Sequence, residues 1–253
     1  MRKKQSIVPG ILLLLALVFA VLAVREYLPY WINEFQMEQM KREIRKSQRE
    51  DSGKYSKESR RERTINWKKL HKINPDIIAW IEVPGTKIDY PVLKCKSWNE
   101  YLSRDYKGNK NILGSIFVQP ETASDFSNQH TVIYGHNMKD KQMFGSLHNY
   151  ESKKFWDKHR NVYIYLPDQT IQAEVYSTYD CMDMTETFYT EFPDEAAWQQ
   201  WKDMTVEKSY YNMKMKPTSE SRVLTLSTCS NGRGRSSRYV VHCMIQTAEE
   251  GRE

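Results

Sequence analysis

The residues best suited to chemistry lie in "TLSTCSNGRGRSSRYVVH", residues 225 to 242. Cys229 closes one apolar run, a basic, glycine-dotted loop follows, and a second apolar run begins at Arg238. A thiol in that place could be a buried packing residue, half of a disulfide, a metal ligand or a nucleophile. Nucleophilic work needs the thiolate, and a free cysteine is mostly protonated at neutral pH, so a base or cation must stand nearby.

The chain has six histidines. His136 closes "HTVIYGHN" just past a strand end and a glycine, where an imidazole can project into a groove. His130 starts the same run and His242 sits inside the last one. His71, His148 and His159 fall in helical or loop contexts and are expected on the surface. His136 leads His242 as the partner. Among the arginines, Arg233 and Arg235 belong to the eight-residue connection "SNGRGRSS", near its tip. If the flanking runs pair as a hairpin, the end of the first lies beside the start of the second, so Arg238 is set next to Cys229. Arginine stays protonated and cannot be the base, but it can hold a carbonyl and stabilise an oxyanion.

Positioning these groups requires strands. "RVLTLSTC" alternates so that Val223, Thr225, Ser227 and Cys229 share one side and Leu224 and Leu226 the other. The small residues beside the thiol suggest a groove floor, with Thr225, Ser227 and Thr228 as candidate lining. Seven more short runs are rich in β-branched and aromatic residues: "DIIAWIEV", "KIDYPVL", "GSIFVQ", "HTVIYG", "NVYIYL", "TIQAEVYSTYD" and "RYVVHCMIQ". Turn formers separate most of them. A short helix in "TINWKKLHKINP" is predicted to be capped by Thr64 and ended by Pro75. A second helical stretch is expected around "MFGSLHNYES". A long one covers residues 193 to 213, with Pro193 in its first turn and Ala197, Trp201 and Met204 on one face. The economical architecture is mainly β: a closed eight-stranded barrel with a leading helix and a long helix between strands 6 and 7.

The remaining segments set the context. The chain has 253 residues, 40% hydrophobic and 28% charged, with a net charge of +6, which suits one domain plus appendages. Much of the positive excess lies near the N-terminus and in residues 225–242, and no zinc-finger, helix-turn-helix or RNA-binding signature occurs, so nucleic acid is not an expected partner. Residues 6–24 are apolar, and no charge occurs in the 20 residues between Lys4 and Arg25. At about 1.5 Å per residue that run covers about 30 Å, a bilayer core. The "MRKK" flank favours a cytoplasmic N-terminus, with residues 1–5 inside and the rest outside. A cleaved signal peptide is the competing reading, weakened by the long run and poor cleavage site. Residues 25–63 follow as a charged stalk, in which Phe35, Met37, Met40 and Ile44 give a thin helical stripe. The globular part spans 64–248, with 249–253 as a tail. Cys95, Cys181, Cys229 and Cys243 show no CxxC and no dense spacing, and no HExxH or paired Cys/His ligand set occurs. No metal and no cofactor are expected.

"TLSTC" followed by "RYVVH", with "VIYGHN" upstream, resembles the sortases, cysteine transpeptidases of Gram-positive cell surfaces. The likeness covers nearly all of residues 64 to 248, and the long helix before strand 7 and the leading helix look like class B. The resemblance implies Cys229 as nucleophile, His136 as general acid/base and Arg238 as oxyanion and carbonyl stabiliser, helped by a backbone N–H. It implies cleavage of a C-terminal sorting motif in secreted proteins, typically beginning Asn-Pro, a thioacyl-enzyme, and transfer to a peptidoglycan amine. Two alternatives use the same residues differently: a thiol hydrolase, and a non-catalytic, disulfide-bonded surface binding module.

Overall fold

The computed structural model describes residues 8–51, 65–212, 216–231, 234 and 236–246. It divides into two compact units, one ending at Lys41 and one starting at Arg42. Helix α1, Val8–Asp51, makes up the described part of the first and runs on past its boundary. Its stretch Val8–Arg42 is long and apolar enough to cross a membrane by length and composition. The helix continues through the first part of the charged stalk segment, with Pro29 inside it.

The second unit is a closed barrel. Strands β1 (Ile77–Glu82), β2 (Asp89–Lys94), β3 (Ile116–Val118), β4 (His130–Tyr134), β5 (Asn161–Tyr165), β6 (Thr170–Met182), β7 (Val223–Cys229) and β8 (Ser237–Ile245) join in the order β1-β2-β3-β4-β7-β8-β6-β5, and β5 closes onto β1. The eight strands are those expected from the β-branched and aromatic runs. The pairs β2·β3 and β4·β7 are parallel and the rest antiparallel. A parallel pair needs a long crossover. For β4·β7 that crossover carries β5 and β6 together with a 3-10 segment at Gly145–Glu151, a shorter one at Glu186–Phe188, and helices α3 (Lys153–Lys158) and α4 (Glu195–Glu207).

Helix α2 (Trp67–Ile73) starts later than expected. Its cap is Asn66, whose side chain accepts from the Lys69 N–H at 2.9 Å. Thr64, the expected cap, lies outside the described residues. Helix α4 is also shorter than its pattern. Asp194 accepts from the Ala197 N–H at 2.8 Å and caps it, which leaves Pro193 before the helix. Its covered stripe is Trp198, Trp201, Lys202 and Thr205, at i, i+3, i+4 and i+7. Ala197 and Met204 sit at the margin of that stripe. Trp198 and Trp201 stack at 5.2 Å and pack with Tyr176, Val223 and Met244 on the outer faces of β6, β7 and β8. Each fully buried side chain of this size is worth about 1.5–3 kcal/mol. The helix therefore covers one outer wall of the barrel, including most of the β7 face that ends at Cys229.

Candidate active site

Strand β7 is buried along its length and exposed only at its last residue, Cys229. The thiol therefore sits where covered wall gives way to surface. Its cross-strand partner on β8 is Arg238. The Ser230 N–H donates to the Ser237 carbonyl at 3.1 Å, which makes Ser230/Ser237 the hydrogen-bonded pair. Cys229/Arg238 is then the non-hydrogen-bonded kind, whose Cα atoms stand about 4.5 Å apart with their side chains closest. The same bond commits the amide that follows Cys229. The expected backbone N–H helper is therefore engaged within the hairpin at that position.

On the other flank, β4 runs parallel to β7 with Tyr134 opposite Ser227. The Gly135 N–H donates to the Ser227 carbonyl at 3.1 Å and carries the ladder on. Two residues further along each chain come His136 and Cys229. The histidine, the thiol and the arginine thus fall in one row across three neighbouring chains, with successive chains about 4.8 Å apart. The His136 Nε2–H donates to the Leu102 carbonyl at 2.7 Å. Its ring rests over Gly114, where a Cβ would come within 2.6 Å of the Leu102 oxygen and 3.0 Å of His136 Cδ2, at a φ of +58°.

Arg238 is half-buried. Its Nη2 donates to Asp183 Oδ2 at 3.1 Å and its Nη1 to the Ser237 carbonyl at 3.2 Å. Asp183 sits just past β6 in "YDCMD", where no local pattern marks it. On the far side of Arg238 the register partner is Cys181, a thiol that burial pushes up to about 11. Burial also raises the Cys95 and Cys243 thiols. All four cysteines are free, so no disulfide staples the domain and Cys229 keeps its thiol. The disulfide-bonded binding module is set aside on that ground.

The other histidines divide differently than their sequence contexts suggest. His130 and His242 are buried under α4, with Thr225 between them: Thr225 Oγ1 lies 2.6 Å from His130 Nε2 and 2.7 Å from His242 Nδ1. Trp201 closes over both rings. Burial lowers His130 to about 4 and holds His242 well below its ordinary range. Neither touches the surface row. Thr225 is accordingly 0% exposed and is no groove residue, because α4 covers it. Ser227 and Thr228 are also buried, at 2% each, so the open part of the site begins at Cys229 itself.

His148, expected at the surface, is buried. Its ring stacks on Tyr239 at 4.6 Å, Nδ1 lies 2.7 Å from Glu151 Oε1, and Nε2 lies 3.0 Å from the Cys229 carbonyl. Asn137 Nδ2 donates to the same carbonyl at 2.9 Å. The local sequence signal was Asn137 directly after His136. Nothing local flags His148.

An exposed thiol opposite an arginine, beside a histidine that leaves a parallel neighbour, brings together the residue types that cysteine acyl transfer needs. The Sortase domain family model matches residues 81–246. The chain belongs to the sortase family. Its likeness is to class B: Sortase B of Staphylococcus aureus (strain NCTC 8325 / PS 47) is 33% identical over 172 residues, 68% of this chain and 70% of that protein. The solved Staphylococcus aureus sortase B–substrate complex superposes with a TM-score of 0.67 at 32% identity, covering 72% of this chain and 84% of that one. A sortase B complexed with triglycine gives a TM-score of 0.67 at 32% identity, covering 72% and 85%. This sortase is thus a cysteine transpeptidase of class B, built on the family's eight-stranded barrel.

Proposed function

We propose that this sortase is a membrane-anchored transpeptidase that cuts a C-terminal sorting motif in secreted proteins and joins the new acyl end to a peptidoglycan amine. The single observation that carries the site assignment is the register pair Cys229/Arg238, with His136 arriving from β4 on the other side.

In the first half-reaction the Cys229 thiolate attacks the scissile carbonyl. A C–S bond forms and the carbonyl π pair moves to oxygen. Arg238 stabilises that oxyanion; Asp183 holds the guanidinium at 3.1 Å and aims it. The oxyanion collapses, the C–N bond breaks, and His136 as imidazolium gives the leaving amine its proton. With Nε2 committed to Leu102, Nδ1 carries that proton. In the second half-reaction an amine attacks the thioester, His136 takes its proton, and the thiolate leaves with an amide formed. The S. aureus relative solved as a substrate complex and the sortase B solved with triglycine support one site that takes a peptide and an amine in turn. A cleft of about 400 Å³ lined by Glu151, Asp180, Tyr210 and Asn231 opens close by.

Residues 6–24 are proposed as the anchor, 1–5 as a cytoplasmic tail, 25–63 as the stalk, 64–248 as an extracellular catalytic domain and 249–253 as its tail. The apolar N-terminal helix supports that reading. The test is mass spectrometry of the protein after incubation with a library of candidate sorting peptides, with and without triglycine. A thioacyl mass on Cys229, discharged into a triglycine-linked product, is expected. A product that never carries the amine supports the hydrolase instead.

A further inference from the structure

The Cys229 main-chain carbonyl sits at the end of β7, where a ladder bond would ordinarily stop. It accepts from Asn137 Nδ2 at 2.9 Å and lies 3.0 Å from His148 Nε2. Asn137 Nδ2 also donates to Asn231 Oδ1 at 2.8 Å, and His148 Nδ1 meets Glu151 Oε1 at 2.7 Å. The hydrogens can be counted. An amide nitrogen has two, and here they meet two acceptors, the Cys229 carbonyl and Asn231 Oδ1. A carbonyl only accepts, so the contact between His148 and the Cys229 carbonyl is made by Nε2–H, while Nδ1 faces the Glu151 carboxylate. The 3.1 Å approach of Asn137 Nδ2 to His148 Nε2 is then two donors converging on one carbonyl, which has two lone pairs. Glu151 at Nδ1 and the stacked Tyr239 ring hold the His148 imidazole in place.

We infer that Asn137 and His148, the latter held by Glu151, are positioning residues that fix the peptide following the nucleophilic cysteine. That peptide is gripped at both ends: its carbonyl by Asn137 and His148, its N–H by the Ser237 carbonyl at 3.1 Å. The peptide before Cys229 belongs to the β7 ladder. With both planes fixed, the Cα–Cβ bond has one direction, and only the χ1 rotation is left to bring the sulfur into the row of His136 and Arg238. Asn137 is the chain neighbour of His136, so the same residue ties the acid/base to the nucleophile. A misplacement of about 1 Å at a reacting atom can cost about 100-fold in rate.

This inference rests on Cys229 being the nucleophile. The test uses the full chain in detergent, a fluorogenic Asn-Pro sorting peptide and triglycine as acceptor. His148→Phe keeps a ring on Tyr239 and removes both ring nitrogens. Asn137→Ala removes the amide. Each is expected to lower kcat by about 10- to 100-fold with KM for the peptide within about twofold, since aim changes and substrate contacts do not. His148→Gln restores one donor towards the carbonyl and is expected to recover at least about fivefold of the loss. Glu151→Gln, at a side chain 45% exposed and so readily tolerated, is expected to fall by about three- to tenfold in kcat. Rates within twofold of the parent for both His148→Phe and Asn137→Ala overturn the inference. So does a loss carried by KM, or a His148→Gln variant no better than His148→Phe. If Cys229→Ala retains the parent rate, the nucleophile assignment itself fails and the positioning role falls with it.

Discussion

The buried pair under α4 makes the protein sensitive to acid in a way that can be worked from geometry. His130 Nδ1 stands 2.6 Å from the Tyr189 carbonyl, which only accepts, so Nδ1 carries the proton. Nε2 then accepts from the Thr225 hydroxyl at 2.6 Å, and Thr225 Oγ1 accepts in turn from His242 Nδ1 at 2.7 Å. The run requires a neutral His130, whose Nε2 must accept; His242 donates through Nδ1, and burial, with no partner at Nε2 among the described residues, is what opposes its charge. Burial lowers His130 from 6.5 to about 4. Over that gap of about 2.5 pH units the unfolded chain takes a proton that the folded chain refuses. His130 stability is thus present in full above about pH 6.5 and is lost as pH falls towards 4, at about 1.4 kcal/mol per unit, or about 3.4 kcal/mol in total. His242 is shifted the same way and steepens the slope. The assay is urea unfolding of the full chain in detergent at pH 7.5, 6.5, 5.5 and 4.5, beside His130→Gln. A glutamine amide can donate to Tyr189 and accept from Thr225 without titrating. The variant should be the less stable of the two at pH 7.5, and its deficit should shrink by about 2.5 kcal/mol as pH falls to 4.5. A deficit that stays constant within about 0.5 kcal/mol, or grows as the solution is acidified, refutes the neutral-network reasoning.

Two further outcomes bear on the site. Arg238→Ala should cost about 2–4 kcal/mol of transition-state stabilisation, measured as kcat/KM for a sorting peptide, with Arg233→Ala and Arg235→Ala much milder; the reverse ranking would mean that the register pair does not mark the oxyanion donor. Gly135→Ala puts a Cβ 2.5 Å from Ile116 Cδ1 and 2.8 Å from Phe144 Cγ, so unfolding should show a loss of about 1–3 kcal/mol. Because His136 follows directly, turnover should fall as well; a variant with the parent's stability and rate would show that this packing is not what sets the histidine.

Much of the fold was legible because strands with a buried face announce themselves by residue type. All eight runs became strands. The hairpin that sets Arg238 beside Cys229 formed as expected, because a short connection joins two strands that must run antiparallel. The helix ends were read less well. Asn66 caps α2 where Thr64 was expected, and Asp194 caps α4, which leaves Pro193, expected in the first turn, before the helix; capping depends on which side chain reaches back to an N–H, and several neighbours in the sequence could. The α4 stripe was displaced by one residue, since Trp198, which seals the wall, was passed over for Ala197.

The sequence alone determined the thiol, the histidine after "VIYG", the arginine opening the last strand, and the apolar N-terminal run. Each is a local pattern: a residue type at a strand end, or an uninterrupted length. Tertiary structure decided which neighbours those groups have. Thr225 shares a face with Cys229 and still lies sealed beneath α4, because a helix earlier in the chain folds over the strand. His148 sits in an unremarkable short helical stretch and ends against the Cys229 carbonyl, because a parallel crossover brings it back to the end of β7. Pairings between residues so far apart in the chain are fixed by barrel closure and register, and no local spacing encodes them.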